Sequence, residues 1–147
     1  MDIFQALRAD HEVQRDLLEK LVATQGASDE RKALFSRLKT ELEAHAAAEE
    51  REFYAPLMHE DLTQDKSRHG VAEHFQIDCL LKKLEQYEWD APAWLQTARE
   101  LKDKVEHHLE EEEHELFQMA GKVLSDAKKS GLAHSYQQEM ERQRHAD

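Results

Sequence analysis

The chain of 147 residues is poor in several features that other classes of protein depend on. Its single cysteine, Cys79, excludes an internal disulfide framework and is typical of a reducing cytoplasm. Four glycines and two prolines are few for the many turns of a β-rich fold. No apolar run approaches the roughly 20 residues of a membrane helix, and the first residues do not form a signal-peptide pattern. These absences predict a mostly helical cytoplasmic protein without a membrane partner.

Positive charge is also scarce. Lysine and arginine number 20 against 32 aspartates and glutamates, which gives a formal net charge of −12 with histidine neutral. A chain this acidic lacks the basic surface that phosphate binding needs, so we expect no nucleic-acid partner. What the sequence does have is ten histidines, and carboxylates cluster beside some of them.

Apolar side chains recur every three or four residues along four stretches, which is the spacing of one helix face. The stretches cover about residues 3–24, 28–56, 69–87 and 92–120, with Met58–Arg68 as a polar connection. Beyond residue 120 the tail is polar, and we expect a short capping helix with a frayed end. The pattern predicts an all-α fold in a single domain, residues 1–147. Its core is an up-down-up-down four-helix bundle over about residues 1–120, followed by a helical tail over 121–147.

Six polar side chains fall on these apolar helix faces: His11, His45, Glu49, His74, His108 and Glu112. One constant shift along the chain maps the first three onto the last three in order, and it also aligns several leucines and glutamates around them. We call this correspondence the internal repeat. Two related helix pairs, arranged about a pseudo-twofold axis through the core, would explain both the internal repeat and the inward polar residues.

Polar groups in a bundle core must pair, change protonation or bind a metal, because an isolated buried carboxylate is very costly. Each glutamate follows a histidine by four residues, which places both side chains on one helix face. Imidazole and carboxylate ligands suit iron, manganese or zinc, and four histidines with two glutamates exceed the needs of one tetrahedral zinc. Two glutamates bridging two ions, each ion held by two histidines, is the arrangement that fits this stoichiometry best.

The alternative is a metal-free interaction bundle whose core histidines are neutral and hydrogen-bonded to glutamates. One such histidine would favour that interpretation, but four in two symmetric pairs favour a metal. We expect the glutamates of Glu110–Glu113 other than Glu112 to form a solvated face. Tyr54 and Tyr136 should pack in the core or at its rim.

The order of a single histidine, H-x-x-x-E, a single histidine and H-x-x-x-E on successive helices resembles the hemerythrin-like HHE cation-binding domain. The stretches Ala44–Phe53 and His107–Phe117 are similar to its two metal-binding helices. The resemblance covers roughly residues 1–120 and implies a non-haem di-iron centre with carboxylate bridges inside a four-helix bundle. It also implies that the six polar residues on the apolar faces are the metal ligands.

Two departures distinguish the chain from the oxygen-carrying hemerythrins. These carriers have a second histidine one turn after the ligand of the third helix, where this chain has Asp78. They also end with H-x-x-x-x-D, whereas the internal repeat here favours the shorter His108–Glu112 pair over His107. Fewer ligands imply a more open metal centre, and members of this kind bind oxygen, nitric oxide or peroxide. The resemblance implies sensing, storage or detoxification of such a ligand, or alternatively an enzyme that consumes peroxide or repairs nitrosative damage.

Overall fold

The computed structural model describes residues 1–146, so Asp147, the last residue of the predicted domain and tail, lies outside the described residues. Five long helices occupy this range: α1 (Ile3–Val22), α2 (Asp29–Glu49), α3 (Gln64–Gln86), α4 (Pro92–Glu111) and α5 (Asp126–Arg144). Residues 1–146 contain no β-strand. The all-α fold class is therefore confirmed.

Two helices do not end at the bounds given above but change their winding there. The helix α2 continues through a π-helical turn (Glu50–Tyr54) into a short helix (Ala55–Leu57). The helix α4 likewise continues through a π-helical turn (Glu112–Leu116) into Phe117–Val123. Single π-helical turns inside α-helices are frequent at functional sites, because they re-aim neighbouring side chains. The first of them directly follows Glu49, and the second begins at Glu112.

Capping residues account for where the helices begin. Asp2 and Gln5 form a reciprocal capping box at the start of α1, and the Ser28 hydroxyl accepts a bond from a backbone N–H of α2. Gly26 adopts φ 60° in the turn between them, a conformation that favours glycine. Pro92 occupies the first turn of α4, where its missing N–H has no helical partner to lose.

The helices α1 to α4 pack as a bundle in which α1 contacts α2 and α4, and α3 contacts α4 and α2. Two apolar clusters fill its interior. One is built around Leu7, Phe53 and Phe117, and the other around Leu38, Trp94 and Leu101. The histidines and glutamates of interest are buried without belonging to either cluster, so a polar layer interrupts the apolar core.

The helix α3 begins at Gln64, whereas the sequence pattern places its start at about His69. The first turns of this helix bury polar residues rather than apolar ones, so hydrophobic periodicity does not detect them. Buried Thr63 donates its hydroxyl to the Leu57 carbonyl, and the Ser67 hydroxyl donates to the Thr63 carbonyl. These bonds satisfy the polar groups in the connection between α2 and α3.

The helical tail is confirmed, but α5 is longer and better packed than the sequence suggests. It runs for 19 residues along α1 and α2 and buries Leu132, Tyr136 and Met140. Only about one residue per turn of α5 faces the bundle. Charged residues occupy the other faces, so the hydrophobic pattern of the sequence does not reveal the inward residues. Near the end of α5, the Arg144 guanidinium donates hydrogen bonds to the carboxylates of Glu41 and Asp10. Among the helices of residues 1–146, none is long and apolar enough to cross a membrane.

Candidate metal centre

The structure brings all six candidate ligands together in the polar layer of the bundle. The helix α1 supplies His11, α2 supplies His45 and Glu49, α3 supplies His74, and α4 with its π-helical turn supplies His108 and Glu112. Every one of these side chains is buried.

The four imidazole rings form two pairs. The ring centroids of His11 and His45 lie 5.2 Å apart, and those of His74 and His108 lie 4.9 Å apart. The pairs therefore correspond to the two helix pairs α1–α2 and α3–α4, and each pair lies within one half of the internal repeat.

Each glutamate spans both histidine pairs. The Oε1 atom of Glu49 lies 3.3 Å from His45 Nε2 and 3.1 Å from His74 Nε2. The carboxylate of Glu112 lies 3.3 Å from His11 Nε2 and 3.7 Å from His108 Nε2. Donor atoms that share one ion at about 2.0–2.2 Å stand at separations of this order. Two carboxylates thus occupy positions between two histidine pairs.

Seven buried atoms that face one another between the histidine pairs have no hydrogen-bond partner among residues 1–146. They are Nε2 of His11, His45, His74 and His108, both oxygens of Glu49, and Oε1 of Glu112. Native proteins satisfy nearly all buried polar groups, so several unpartnered atoms aimed at one another indicate a missing binding partner. Cations with nitrogen and oxygen ligands would satisfy these atoms.

The Nδ1 atom of each histidine is occupied by a second residue, which leaves Nε2 as the inward-facing atom. His11 Nδ1 lies 2.6 Å from Glu113, His74 Nδ1 lies 2.7 Å from Glu50, and His108 Nδ1 lies 2.8 Å from Glu73. With a proton on Nδ1, each ring donates to its carboxylate and offers the Nε2 lone pair to the core. Metal-binding histidines are typically fixed and made more basic in this way.

His45 differs from the other three because its Nδ1 partner is a phenol. Its Nδ1 lies 2.7 Å from the Tyr136 hydroxyl, which in turn donates to Asp10 at 2.7 Å. In the internal repeat, Asp10 corresponds to Glu73, the carboxylate that contacts His108 directly. The aspartate is one methylene shorter, and the Tyr136 hydroxyl spans the remaining distance. The fifth helix therefore completes the support of the bundle's second histidine.

Three of these supporting carboxylates each form an ion pair with a lysine or arginine side chain. Arg15 contacts Glu113 at 3.1 Å, and Lys104 contacts Glu73 at 3.2 Å. Arg144 contacts Asp10 at 3.2 Å. Burial works against ionisation of Glu113, but His11 and Arg15 outweigh it and lower its pKa to about 2. The pKa of Glu73 is also about 2, since His108 and Lys104 outweigh its burial.

The centre of the site concentrates negative charge that needs a cation. Burial and the neighbouring charge of Glu49 raise the pKa of Glu112, because two ionised carboxylates repel each other in a buried place. In the protein alone, protons on the histidines supply the compensation. Burial opposes a proton on His11, but Glu112 and Glu113 raise its pKa to about 9. Glu49 and Glu50 likewise overcome burial and raise the pKa of His74 to about 10.

The donor atoms fall into two groups that could each hold one ion. The first comprises His11, His45, Glu49 and Glu112, and the second comprises Glu49, His74 and His108. Because Glu49 belongs to both groups, the residues fit two neighbouring ions rather than two separate sites. The donor set, the unpartnered atoms and the excess negative charge all suit transition-metal cations.

Tyr54 packs against this centre, and its ring lies close to the backbone of α3 at Gly70. Its hydroxyl donates to Glu112, and its ring stacks on His74 with centroids 5.4 Å apart. Gly70 makes room for the ring, since a Cβ at this position would lie 2.5 Å from the Tyr54 ring and hydroxyl. The expected burial of Tyr54 and Tyr136 is confirmed, and both carry hydrogen bonds that the sequence does not reveal.

The close packing of Gly70 leads to a first prediction. The variant Gly70→Ala should displace Tyr54 and loosen its bond to Glu112, and overpacking of this kind costs about 1–3 kcal/mol. We expect a lower midpoint of urea denaturation and weaker metal retention in the presence of a chelator. Gly131→Ala is the matched control, because a Cβ there meets no atom within 4 Å. Equal stability of the two variants would contradict the role given to Gly70.

Two residues that the sequence leaves open as further ligands stay outside both groups. His107 is 69 % exposed at its side chain and pairs with Glu111 at 3.2 Å. Asp78 pairs with Lys82 at 2.9 Å on the outer part of α3. Four further histidines, His59, His69, His134 and His145, are exposed.

The expectation that Glu113 belongs to a solvated face is wrong. Its side chain is largely covered because it turns inward to meet His11 and Arg15. A signal was present in the sequence: the internal repeat maps Glu50 onto Glu113, and each directly follows a candidate ligand. Asp10 and Glu73 also correspond in the internal repeat, and each directly precedes a candidate ligand. Tyr136 has no counterpart in the internal repeat, so sequence reasoning could not assign it a partner.

A helical bundle whose core holds two histidine pairs joined by glutamates defines a metal-binding bundle protein. The family model of the hemerythrin HHE cation-binding domain matches residues 2–120. The chain therefore belongs to the hemerythrin HHE cation-binding domain family. Among solved structures, a hemerythrin HHE cation-binding domain-containing protein from Mycobacterium kansasii matches with a TM-score of 0.88 and 26% identity. That match covers 98% of this chain and 88% of the other. Comparison with curated proteins gives no match.

Proposed function

We propose that the protein is a non-haem di-iron protein that binds oxygen, nitric oxide or peroxide for sensing, storage or detoxification. The observation that carries this proposal is the position of each glutamate between both histidine pairs. One carboxylate between two metal-binding pairs is the arrangement of a bridging ligand. The six residues that would hold the ions are His11, His45, Glu49, His74, His108 and Glu112.

The choice of iron follows from the donor set. Two histidines and one carboxylate with further open positions are typical of non-haem iron, and Glu49, His74 and His108 form such a set. Iron, when bound, supplies the open coordination position and the redox chemistry for a small ligand. The protein holds the rings through their Nδ1 partners and surrounds them with apolar side chains that limit water. Manganese and zinc suit the same ligands, so a competition between metals tests the preference.

The experiment that tests the proposed ligand uses protein loaded with Fe(II) without oxygen. Nitric oxide, oxygen and hydrogen peroxide are then added separately, and visible and electron paramagnetic resonance spectra are recorded. A spectral change that saturates near one ligand per centre would support binding. Sustained loss of hydrogen peroxide over many equivalents would favour the alternative, a peroxide-consuming enzyme at the same site. Spectra unchanged by all three ligands would contradict both functions.

Metal binding should release protons and strengthen as the pH rises. In the metal-free protein His11 and His74 have pKa values of about 9 and 10, so both rings are protonated near pH 7. Nε2 must lose its proton to bind a metal, and metal affinity therefore increases with pH up to these values. Calorimetry of zinc binding in buffers of different ionisation heat should detect a net release of protons at pH 7. An affinity independent of pH between 6 and 8 would contradict this charge assignment.

A further inference from the structure

A cavity of about 340 Å³ lies between α2 and α3 and reaches the metal centre. Three of the candidate ligands, His45, His74 and His108, form its inner end. Apolar side chains supply most of the remaining wall: Leu42, Ala46, Val71, Ile77 and Leu81. The outer part includes Phe75, which is 68 % exposed. The cavity therefore connects solvent with the histidines through a largely apolar passage.

Gln14 places a buried polar side chain in this largely apolar passage. It lies on α1 one turn after His11, lines the cavity, and is only 2 % exposed. Its amide nitrogen has no hydrogen-bond partner in the described protein. A buried amide donor left unpaired is unfavourable, so a bound molecule with an acceptor atom would relieve this penalty. A polar group of this kind in an apolar cavity typically fixes the orientation of a ligand.

The size of the cavity argues against a diatomic molecule as its sole occupant. A water molecule has a share of roughly 30 Å³ in the liquid, and oxygen or nitric oxide would leave most of the space apolar and empty. The volume lies at the lower end of the range of small-molecule pockets, about 300–1,000 Å³. It suits a compact organic group next to the histidines.

The charge of the cavity selects among organic ligands. Glu43, Glu50 and Asp78 belong to its lining, and the whole chain carries a net charge of −12. Glu50 is bonded to His74 and Asp78 to Lys82, so the disfavouring of anions at the mouth of the cavity rests on Glu43 and on the net charge of the chain. A neutral molecule with an apolar body and an oxygen acceptor meets all three requirements of size, polarity and charge.

We propose that this cavity binds an alkyl hydroperoxide, with its apolar group against α2 and α3 and an oxygen accepting from the Gln14 amide. The inference rests on the proposed function, in which peroxide is one of the ligand classes. It adds the substrate class and a residue that determines specificity. Gln14 is assigned to recognition of the ligand rather than to holding the metal.

The test is a titration of ¹⁵N-labelled, zinc-loaded protein with tert-butyl hydroperoxide, followed by nuclear magnetic resonance. Zinc does not change oxidation state, so binding is measured without turnover, and metal-free protein is titrated in parallel. The side-chain amide signals of Gln14 are assigned by their loss in Gln14→Leu. We expect these signals to shift and saturate, whereas hydrogen peroxide, which lacks the apolar group, should bind at least tenfold more weakly.

Two variants probe the cavity independently. Gln14→Leu removes the amide, and we expect about tenfold weaker binding read from the backbone amide of Ala46, as for the loss of one hydrogen bond. Ala46→Phe fills the passage and should abolish the saturable shift. Gln76→Leu, at an exposed position of α3, is the matched control and should bind normally. Thermal melts of all variants identify any loss of folding.

The proposal is overturned if tert-butyl hydroperoxide gives no saturable shift, or if hydrogen peroxide binds equally well. It is also overturned if Gln14→Leu and Ala46→Phe, both folded, bind as tightly as the unaltered chain. These readouts do not depend on iron. A chain that binds the hydroperoxide but takes up no iron would refute the proposed function alone. A chain that takes up iron but does not bind the hydroperoxide would refute only the proposal that the cavity binds it.

Discussion

Replacing Glu49 or Glu112 by glutamine should lower bound iron from about two ions per chain to about one or fewer. Each carboxylate lies between both histidine pairs, so its loss weakens the binding of both ions at once. An amide keeps the volume of the side chain but removes the charge that attracts the metal. Iron is counted by a colorimetric chelator assay on protein loaded without oxygen.

The same variants should lose the stabilisation that metal gives to the fold. A ligand present at about 1,000 times its dissociation constant stabilises a protein by about 4 kcal/mol, which corresponds to roughly 10 °C in melting temperature at this size. Glu110→Gln is the matched control, because Glu110 is an exposed residue of the same glutamate run. If Glu49→Gln and Glu112→Gln load iron and gain stability as the control does, these glutamates are not ligands.

Truncating Tyr136 should be the most damaging single change in α5. The variant Tyr136→Ala removes a fully buried aromatic ring from the apolar cluster at this end of the bundle, and such deletions cost about 3–5 kcal/mol. Tyr136→Phe keeps the ring but removes the hydroxyl between His45 and Asp10, at about 1–3 kcal/mol for a buried donor left unpaired. Urea denaturation of the metal-free proteins measures both losses.

The two tyrosine variants also separate packing from ligand positioning. Tyr136→Phe should retain most of the stability but bind metal more weakly, because a free His45 ring is less well oriented. A loss of about 10–100-fold is usual for residues that support a metal ligand. The exposed His134→Ala on the same helix is the control and should change neither property. Normal metal affinity in Tyr136→Phe would contradict the supporting role of the fifth helix.

The spacing of apolar residues was sufficient to predict the bundle, most clearly in α1 and α4, which are strongly amphipathic. The stripe of α4, from Trp94 through Leu101 to Leu116, continues through His108 and Glu112 without a break in spacing. Periodicity alone therefore places the polar candidates inside. The internal repeat relates the histidines of the two halves, and the structure shows that the shortest ring distances join histidines within one half.

The parts that sequence reasoning missed depend on tertiary contacts or on altered helix winding. The π-helical turns after Glu49 and at Glu112 have no compositional signal, yet they determine how Glu50 and Glu113 turn towards histidines of other helices. Residues 64–68 begin a helix with buried polar side chains, which a hydrophobic pattern cannot register.

The fifth helix shows a different limit. Its inward face is narrow, so the sequence of α5 looks polar throughout, and the family match ends at residue 120 before it begins. Its contribution becomes visible only when Tyr136 is seen between His45 and Asp10. The correspondence of Asp10 with Glu73 explains why this helix is needed: one half of the internal repeat has a carboxylate too short to reach its histidine.

The most direct test of the account is the amount of iron that the metal-free protein takes up. The chain is loaded with Fe(II) without oxygen, freed of excess metal, and assayed for iron and protein. Two histidine pairs joined by two glutamates predict about two ions per chain, with the second ion lost in Glu49→Gln and Glu112→Gln. A value near one, or none, in the unaltered chain would contradict the dinuclear centre.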